Sequence, residues 1–166
     1  MKKINQEEQE MSITYVQYKQ QQQEEFNALP IFFAFSNQQF EEEMKKRGLT
    51  ANDTDKVYRL GRSGGFYLRT DADEVKAYFN QPDRLPELMK DHDFAVSAFR
   101  YEMDNHEYAI NYQGDWDVVS CFTSKGLEFS ESKTYVDYLK EAGLEDLISA
   151  YQEAKRSHMK AAQEWS

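Results

Sequence analysis

The sequence predicts an α+β fold, in which a helix-rich single domain packs on a small antiparallel sheet. Short aromatic or alternating runs typical of strands lie in the first half of the chain, and apolar residues at helical spacing recur throughout. The 166 residues include 11 Phe, 11 Tyr and 2 Trp, which is enough apolar surface for a core. We therefore expect residues 14–166 to form one domain behind a loose polar tail at residues 1–13.

The first two predicted elements are a helix and a strand. Tyr15, Tyr18 and Phe26 recur at roughly helical spacing, which predicts an amphipathic helix over residues 14–29. A proline follows and would end such a helix. The run Ile31–Phe35 is short and aromatic, and it predicts a buried strand.

A second helix is predicted to begin at Ser36. Gln39 follows Ser36 by three residues, which is a capping-box pattern. Acidic residues come early in this segment and basic residues come late, an order that complements the helix dipole. Gly48 supplies a C-terminal cap, so we expect the helix to end there.

A β-hairpin is predicted near residues 56–69. Lys56–Leu60 and Phe66–Arg69 alternate apolar and polar residues, and the connection between them reads GRSGG. A phosphate-binding loop would need a helix directly after the glycines, whereas a second strand-like run follows here. The segment therefore predicts a turn, with positive φ angles at Gly61, Gly64 and Gly65.

The rest of the chain is predicted to be mostly helical. Residues 106–112 are ambiguous, because Tyr108, Ile110 and Tyr112 alternate like a strand while the segment also continues a helical pattern. Further helices are expected, in order, near residues 70–81, 85–90, 94–105, 115–122, 132–142 and 144–163.

The net charge of −10 restricts the classes of partner. Between residues 87 and 117 there are eight acidic residues against two basic ones. This balance opposes non-specific binding to nucleic acid or to an anionic membrane, because phosphates would be repelled. It suits a basic partner, and it is equally the usual composition of a surface that only keeps a protein soluble. The acidic residues are Glu87, Asp91, Asp93, Glu102, Asp104, Glu107, Asp115 and Asp117.

Cysteine usage and the apolar runs indicate a soluble, cytoplasmic protein. The single cysteine, Cys121, excludes an intramolecular disulfide and is typical of a reducing compartment. Its apolar neighbours predict a buried, inert thiol. The start of the chain lacks the apolar run of a signal peptide, and the longest apolar run, Leu29–Phe35, is too short to cross a bilayer.

Three segments of the chain resemble a known family. They are Glu24–Leu49 (EEFNALPIFFAFSNQQFEEEMKKRGL), Gly64–Phe66 (GGF) and Asn105–Tyr108 (NHEY). The chain resembles small, acidic, uncharacterised proteins carried by phages and conjugative elements of gut-dwelling Gram-positive bacteria, and the likeness extends to about Asp117. Where those proteins have glycine before the methionine of the first segment, this chain has Glu43. The resemblance implies a genomic setting and no mechanism.

No metal or cofactor site is predicted. One cluster carries suitable ligand types for zinc or iron. It contains no HExxH motif, and the spacing between its histidines matches no ligand motif, so a solvated acidic surface is the favoured interpretation. The cluster consists of His92, Asp93, Asp104, His106 and Glu107.

The favoured function is a non-enzymatic protein-interaction factor from a phage or mobile element. Its acidic second half suits a basic partner surface, as in an acidic inhibitor of a host defence protein or a nucleic-acid-binding protein. The sequence does not indicate an oligomeric state. The candidate contact residues are Glu102, Asp104, Tyr108, Tyr112, Asp115 and Asp117.

Two alternatives remain open. The first is a small metal-dependent enzyme that uses the region Asp104–Glu107. The second is a module that binds RNA or single-stranded DNA, because basic and aromatic residues interleave in the hairpin as they do in several single-strand binders. The residues of this second alternative are Lys56, Tyr58, Arg59, Arg62, Phe66 and Arg69.

Overall fold

A computed structural model describes residues 13–165, which divide into two compact units. The helical unit contains the described residues up to Gln20 together with those from Arg84 onward, and the sheet unit contains Gln21–Asp83. Apart from Ile13, the predicted polar tail lies outside the described residues. The expected single domain over residues 14–166 stays a prediction.

Eight α-helices and three β-strands form within residues 13–165, which confirms the predicted α+β class. Short 3₁₀ turns precede β2, α3, α6 and α8. The elements are α1 (Tyr15–Asn27), β1 (Ile31–Phe33), α2 (Asn37–Lys46), β2 (Val57–Leu60), β3 (Gly65–Leu68), α3 (Ala72–Phe79), α4 (Leu85–Leu88), α5 (His92–Asn105), α6 (Gly114–Ser120), α7 (Tyr135–Glu141) and α8 (Ile148–Glu164).

The three strands form one antiparallel sheet in the order β1-β3-β2. Strands β2 and β3 are the predicted hairpin, with Leu60 opposite Gly65. On one face the ring of Phe66 stacks on Phe32, with 5.7 Å between ring centroids, and it also meets Phe40 of α2 at 5.0 Å. These aromatic contacts attach helix α2 to the sheet.

Two of the three hairpin glycines have the predicted conformation. Gly61 has a φ of 54° and Gly64 a φ of 81°, both in the left-handed region. The prediction for Gly65 is wrong, because this residue lies in β3 and has no positive φ. It is small for another reason. A Cβ at this position would lie 3.1 Å from the ring of Phe33 and 3.3 Å from the Cβ of Leu60.

Ser36 caps α2 as predicted, but the return hydrogen bond of the capping box is made to a different backbone N–H. The Ser36 hydroxyl oxygen accepts from the backbone N–H of Gln39 at 3.1 Å. The Gln39 side chain accepts in turn from the backbone N–H of Phe35 at 2.8 Å, one residue earlier than a capping box requires. Both bonds satisfy donors at the point where the chain leaves β1.

The core of the helical unit lies between α5 and α8, with α6 and α7 completing it. Phe99 of α5 contacts Tyr151 of α8 edge to face, with 5.0 Å between their centroids, and both side chains are fully buried. Val118 and Leu139 are buried in the same cluster. Helices α5 to α8 therefore share one buried core, which holds the end of α5 and the start of α6 close together.

The ambiguous segment is neither a strand nor a continuation of α5. Glu107 adopts the left-handed conformation, with a φ of 51°, and this ends the helix. A 3₁₀ turn over Tyr108–Ile110 follows. Both alternatives drawn from the sequence are therefore wrong here, because the helix ends at a residue that lacks the usual glycine signal.

Candidate functional site

The six candidate contact residues lie at the C-terminal end of α5, in the loop of residues 106–113, and in α6. Glu102 does not lie on the surface there, because it is only 4 % exposed. Its Oε1 accepts a hydrogen bond from the Tyr15 hydroxyl at 3.0 Å and is 3.4 Å from the Lys19 ammonium nitrogen. Glu102 therefore has internal partners, and it cannot meet another protein directly in this conformation.

The surroundings of Glu102 keep its carboxyl group charged. Burial on its own would raise the pKa of Glu102. Hydrogen bonds from Tyr15 and Cys121, together with the charge of Lys19, outweigh burial and hold that pKa below its usual value. A buried carboxylate with this set of donors is ionised at neutral pH.

Cys121 and His106 complete a compact cluster with Glu102. The Cys121 Sγ lies 3.4 Å from Glu102 Oε2 and 3.4 Å from His106 Nε2, and these last two atoms are also 3.4 Å apart. Within residues 13–165, these three residues form the group whose ligand atoms converge closely enough to hold one metal ion. The expected burial of Cys121 is wrong, since the residue is exposed while its sulfur faces this cluster.

The cluster is not arranged as a nucleophilic triad. In a triad the two ring nitrogens of histidine contact different partners, so that one orients the ring while the other accepts the proton. Here His106 Nε2 faces both Cys121 and Glu102. Partial burial and the Glu102 charge also raise the pKa of Cys121 to about 12, so the thiol is protonated at neutral pH.

Tyr108 and Asp115 are also used internally. The ring of Tyr108 is buried, and its hydroxyl donates to Asp115 Oδ1 at 2.5 Å. The hydroxyl of Tyr151 donates to the same oxygen at 2.8 Å. Asp117, at the start of α6, accepts from the Asn111 side-chain amide at 2.7 Å. These bonds hold the loop of residues 106–113 against α6 and α8.

The metal candidate that was considered from sequence does not assemble. Asp104 contacts Arg100 at 3.0 Å and His158 at 2.7 Å. His92, at the other end of α5, pairs with Glu153 of α8 at 2.5 Å. Of that set, His106 alone belongs to the converging cluster with Glu102 and Cys121.

Two large apolar side chains project from the same loop. Ile110 is 84 % exposed and Tyr112 is 79 % exposed. The ring of Tyr112 touches Phe129 edge to face, at 5.8 Å between centroids, which fixes its orientation while leaving most of it in solvent. Asp104 and Glu107 are exposed nearby in sequence. We call Ile110, Tyr112, Asp104 and Glu107 the loop surface.

The basic hairpin does not form one continuous binding platform. Tyr58 lies opposite Tyr67 in the sheet, and Arg59 lies opposite Phe66 at the next position. Successive residues of a strand point to opposite faces, so the two aromatic residues of the nucleic-acid alternative lie on different faces. Phe66 is also packed on Phe32. Binding of RNA or single-stranded DNA by the hairpin stays a prediction. Each face of the sheet offers fewer aromatic rings for stacking on bases than the sequence suggested.

A sequence profile described as a family of unknown function (DUF7659) matches residues 14–142, more than three quarters of the chain. The chain therefore belongs to this family, whose members share a sequence pattern and have no assigned activity. No curated protein and no solved structure matches the chain. Among the described residues, no helix is both long and apolar enough to cross a membrane.

Sequence reasoning missed the Glu102, His106 and Cys121 cluster. One signal was present, because Glu102 and His106 are four residues apart and so share a helix face. The third member follows α6, and its approach depends on how α6 packs beside α5. Spacing along the chain carries no information on that contact.

Proposed function

We propose that this protein acts by binding another protein through the loop surface, and that the partner presents a basic surface with an apolar recess. The observation that carries the proposal is the exposure of Ile110 and Tyr112, which lie within a few residues in sequence of unburied carboxylates. Interfaces draw most of their binding energy from a few aromatic and apolar anchors surrounded by polar residues. The net charge of −10 would speed association with a basic partner.

Burial and internal hydrogen bonds support a smaller set of contact residues than the sequence suggested. Glu102 and Tyr108 are buried, and Asp115 is held by two phenols, so none of these three belongs to the proposed contact. Asp117 is half-buried and accepts from the Asn111 amide, so it is also left out of the proposed contact. Tyr112 and Asp104 remain, and Ile110 and Glu107 join them. Glu102 contributes to the structure of the helical unit and does not contact the partner in this proposal.

We also propose where the gene is carried and which class of host protein the partner belongs to. The resemblance to proteins of phages and conjugative elements supports an origin on a mobile element. An acidic protein of such an element could inhibit a host defence protein or a nucleic-acid-binding protein by occupying its basic surface. We propose that the protein works in this way in the cytoplasm, without catalysing a reaction.

The test uses quantitative pull-downs from a lysate of a bacterium that carries the gene. The bait proteins are the wild type, Ile110→Ser/Tyr112→Ser, and the matched control Trp165→Ser, which removes a side chain 91 % exposed elsewhere in the helical unit. We expect the control to recover the same partner as the wild type. The double variant should recover at least about tenfold less, because two anchors are lost.

Salt and charge reversal test the electrostatic part with the recovered partner in purified form. Asp104→Lys/Glu107→Lys should bind more weakly than the wild type at low salt, and its affinity should depend less on salt concentration. Circular dichroism checks that each variant is folded. Equal binding by the wild type, the loop variant and the charge-reversed variant would show that the loop surface is not the contact.

A further inference from the structure

We infer that Glu102, His106 and Cys121 form a binding site for a single divalent transition-metal ion, with Zn²⁺ as the best-matched cation. The inference does not depend on the proposed interaction with a protein. It rests on the geometry of three side-chain atoms, on the fact that thiol, imidazole and carboxylate groups are metal ligands, and on the contacts that orient Glu102. It departs from the expectation drawn from sequence, which found no ligand spacing in this region.

The three ligand atoms form a nearly equilateral triangle. The edges Sγ to Oε2, Sγ to Nε2, and Nε2 to Oε2 are each 3.4 Å. In a tetrahedral zinc site the bonds are about 2.0 to 2.3 Å long, which places neighbouring ligand atoms about 3.3 to 3.6 Å apart. A cation above the centre of the triangle therefore reaches all three atoms at bonding distance without a change of backbone.

Hydrogen bonds account for part of this arrangement, because the Cys121 thiol can donate to Glu102 Oε2 at 3.4 Å or to the backbone carbonyl oxygen of Asp117 at 3.3 Å. The contact between His106 and Glu102 is different. The His106 Nε2 to Glu102 Oε2 separation of 3.4 Å is longer than the usual N–H···O distance of about 2.7 to 3.2 Å. The same nitrogen faces both the thiol and the carboxylate, as is expected when three ligands point at one central ion. Thiolate, imidazole and carboxylate are all established zinc ligands.

The neighbours of Glu102 resemble the outer contacts of metal sites. Such sites orient a ligating carboxylate by hydrogen bonds to its other oxygen. Here Oε2 faces the triangle, while Oε1 is held by the hydroxyl of Tyr15 at 3.0 Å and lies near the ammonium of Lys19. The carboxylate of Glu102 and a thiolate of Cys121 would together balance the two positive charges of the ion.

The site has an open side. Cys121 is exposed and the His106 side chain is 32 % exposed, so the triangle is not sealed from solvent. Three protein ligands with one open position are typical of zinc sites that bind water or a substrate, whereas structural sites use four protein ligands. We therefore assign one water or one small anionic ligand to the fourth position.

Cobalt titration tests the site directly. The full chain is purified without an affinity tag, stripped of metal, reduced, and titrated with Co²⁺ under anaerobic conditions. Since Cys121 is the single cysteine of the chain, a thiolate-to-cobalt absorption band can arise only from this residue. We expect the band to saturate at one equivalent and to disappear when Zn²⁺ is added, because Zn²⁺ binds such ligands more tightly.

Variants assign the remaining ligands. Cys121→Ser should abolish the band, and His106→Gln should weaken Co²⁺ and Zn²⁺ binding by more than about 100-fold, the upper end of the loss seen for outer-shell partners. His92→Gln is the matched control, since it makes the same change at the other end of α5 and should bind as the wild type does. Glu102→Gln should also weaken binding, with circular dichroism as a check of its fold.

Two results would overturn the assignment. One is the absence of a thiolate band in the wild type at saturating Co²⁺. The other is Zn²⁺ binding, measured by equilibrium dialysis, that is unchanged in both Cys121→Ser and His106→Gln. Should Glu102→Gln fail to fold, the Cys121 and His106 variants decide the question, because both side chains are at least partly exposed.

Discussion

At the scale of single residues, Asp115 shows how this acidic chain satisfies its charges internally. One oxygen of Asp115 accepts hydrogen bonds from the hydroxyls of both Tyr108 and Tyr151. Burial, and then the carboxylate, raise the pKa of Tyr151 far above its ordinary value, and burial with the Asp115 hydrogen bond raises that of Tyr108. A residue that looked like a surface acid from sequence is therefore part of the link between α6 and α8.

A prediction for alkaline pH follows from these two phenols. Their pKa in the unfolded chain is about 10 and their pKa in the folded protein is higher. Folding stability should thus be unaffected by them below about pH 10, and it should fall as the pH rises above that value. In a titration followed by phenolate absorbance, we expect a late phase that coincides with loss of the helical circular dichroism signal.

Two comparisons check the origin of this late phase. In concentrated guanidinium chloride all tyrosines are exposed, so the late phase should disappear and the phenols should titrate together near pH 10. Tyr151→Phe should reduce the amplitude of the late phase by one phenol. A late phase of unchanged amplitude in that variant would exclude Tyr151 from the group.

At the scale of elements, the predictability of the fold depended on local signals. The hairpin was predicted because its strands alternate and its glycines are adjacent in sequence, so the information is local. The predicted end of α5 at Asn105 is correct, but the conformation of residues 106–112 was not predictable, because Glu107 takes a left-handed conformation that its side chain does not signal. The burial of Glu102 likewise depends on Tyr15 and Lys19 of α1, which lie more than eighty residues away.

Glycine variants of different structural type test the hairpin turn. Gly64 combines a positive φ with a tight contact, since a Cβ there would lie 2.5 Å from the ring of Phe35. Gly61 has a positive φ and open space, and Gly126 has open space without a positive φ. We expect Gly64→Ala to lower the free energy of unfolding by about 1 to 3 kcal/mol, Gly61→Ala by about 1 kcal/mol, and Gly126→Ala by much less.

Chemical denaturation with a common m-value measures these differences. The three variants are ranked by their free energies of unfolding, because the ranking separates backbone strain from steric contact. If Gly61→Ala and Gly126→Ala were equally stable, strain at the turn would contribute nothing measurable. If Gly64→Ala were as stable as the wild type, neither the positive φ nor the nearby Phe35 ring would destabilise an alanine at this position.

At the scale of the whole molecule, composition set limits but did not locate a site. The charge of −10 and the apolar content were enough to predict a folded, acidic chain. They gave no indication of the Glu102, His106 and Cys121 cluster, because its members lie in or directly after two helices that meet only after folding. The same is true of the loop surface, where exposure of Ile110 and Tyr112 follows from how α5 ends and α6 begins.

The net charge leads to a last prediction, on the dependence of stability on salt. Thirty acidic residues against twenty basic ones leave a self-repulsion that is stronger in the compact state than in the expanded chain. The Debye length falls from about 30 Å at 0.01 M salt to about 8 Å at 0.15 M, so added salt should screen this repulsion. Salt also weakens the surface ion pairs, but exposed pairs contribute only about 0 to 1 kcal/mol each.

We therefore expect the thermal midpoint to rise by a few degrees between these salt concentrations, since about 1 kcal/mol corresponds to about 2 to 4 °C for a chain of this size. Calorimetry in NaCl, KCl and tetramethylammonium chloride at equal ionic strength separates screening from binding of a particular cation. Equal shifts in the three salts would indicate screening of the net charge. A midpoint that falls with salt in all three would show that favourable ion pairs, such as that of Asp104 with Arg100, outweigh the repulsion among the remaining acids.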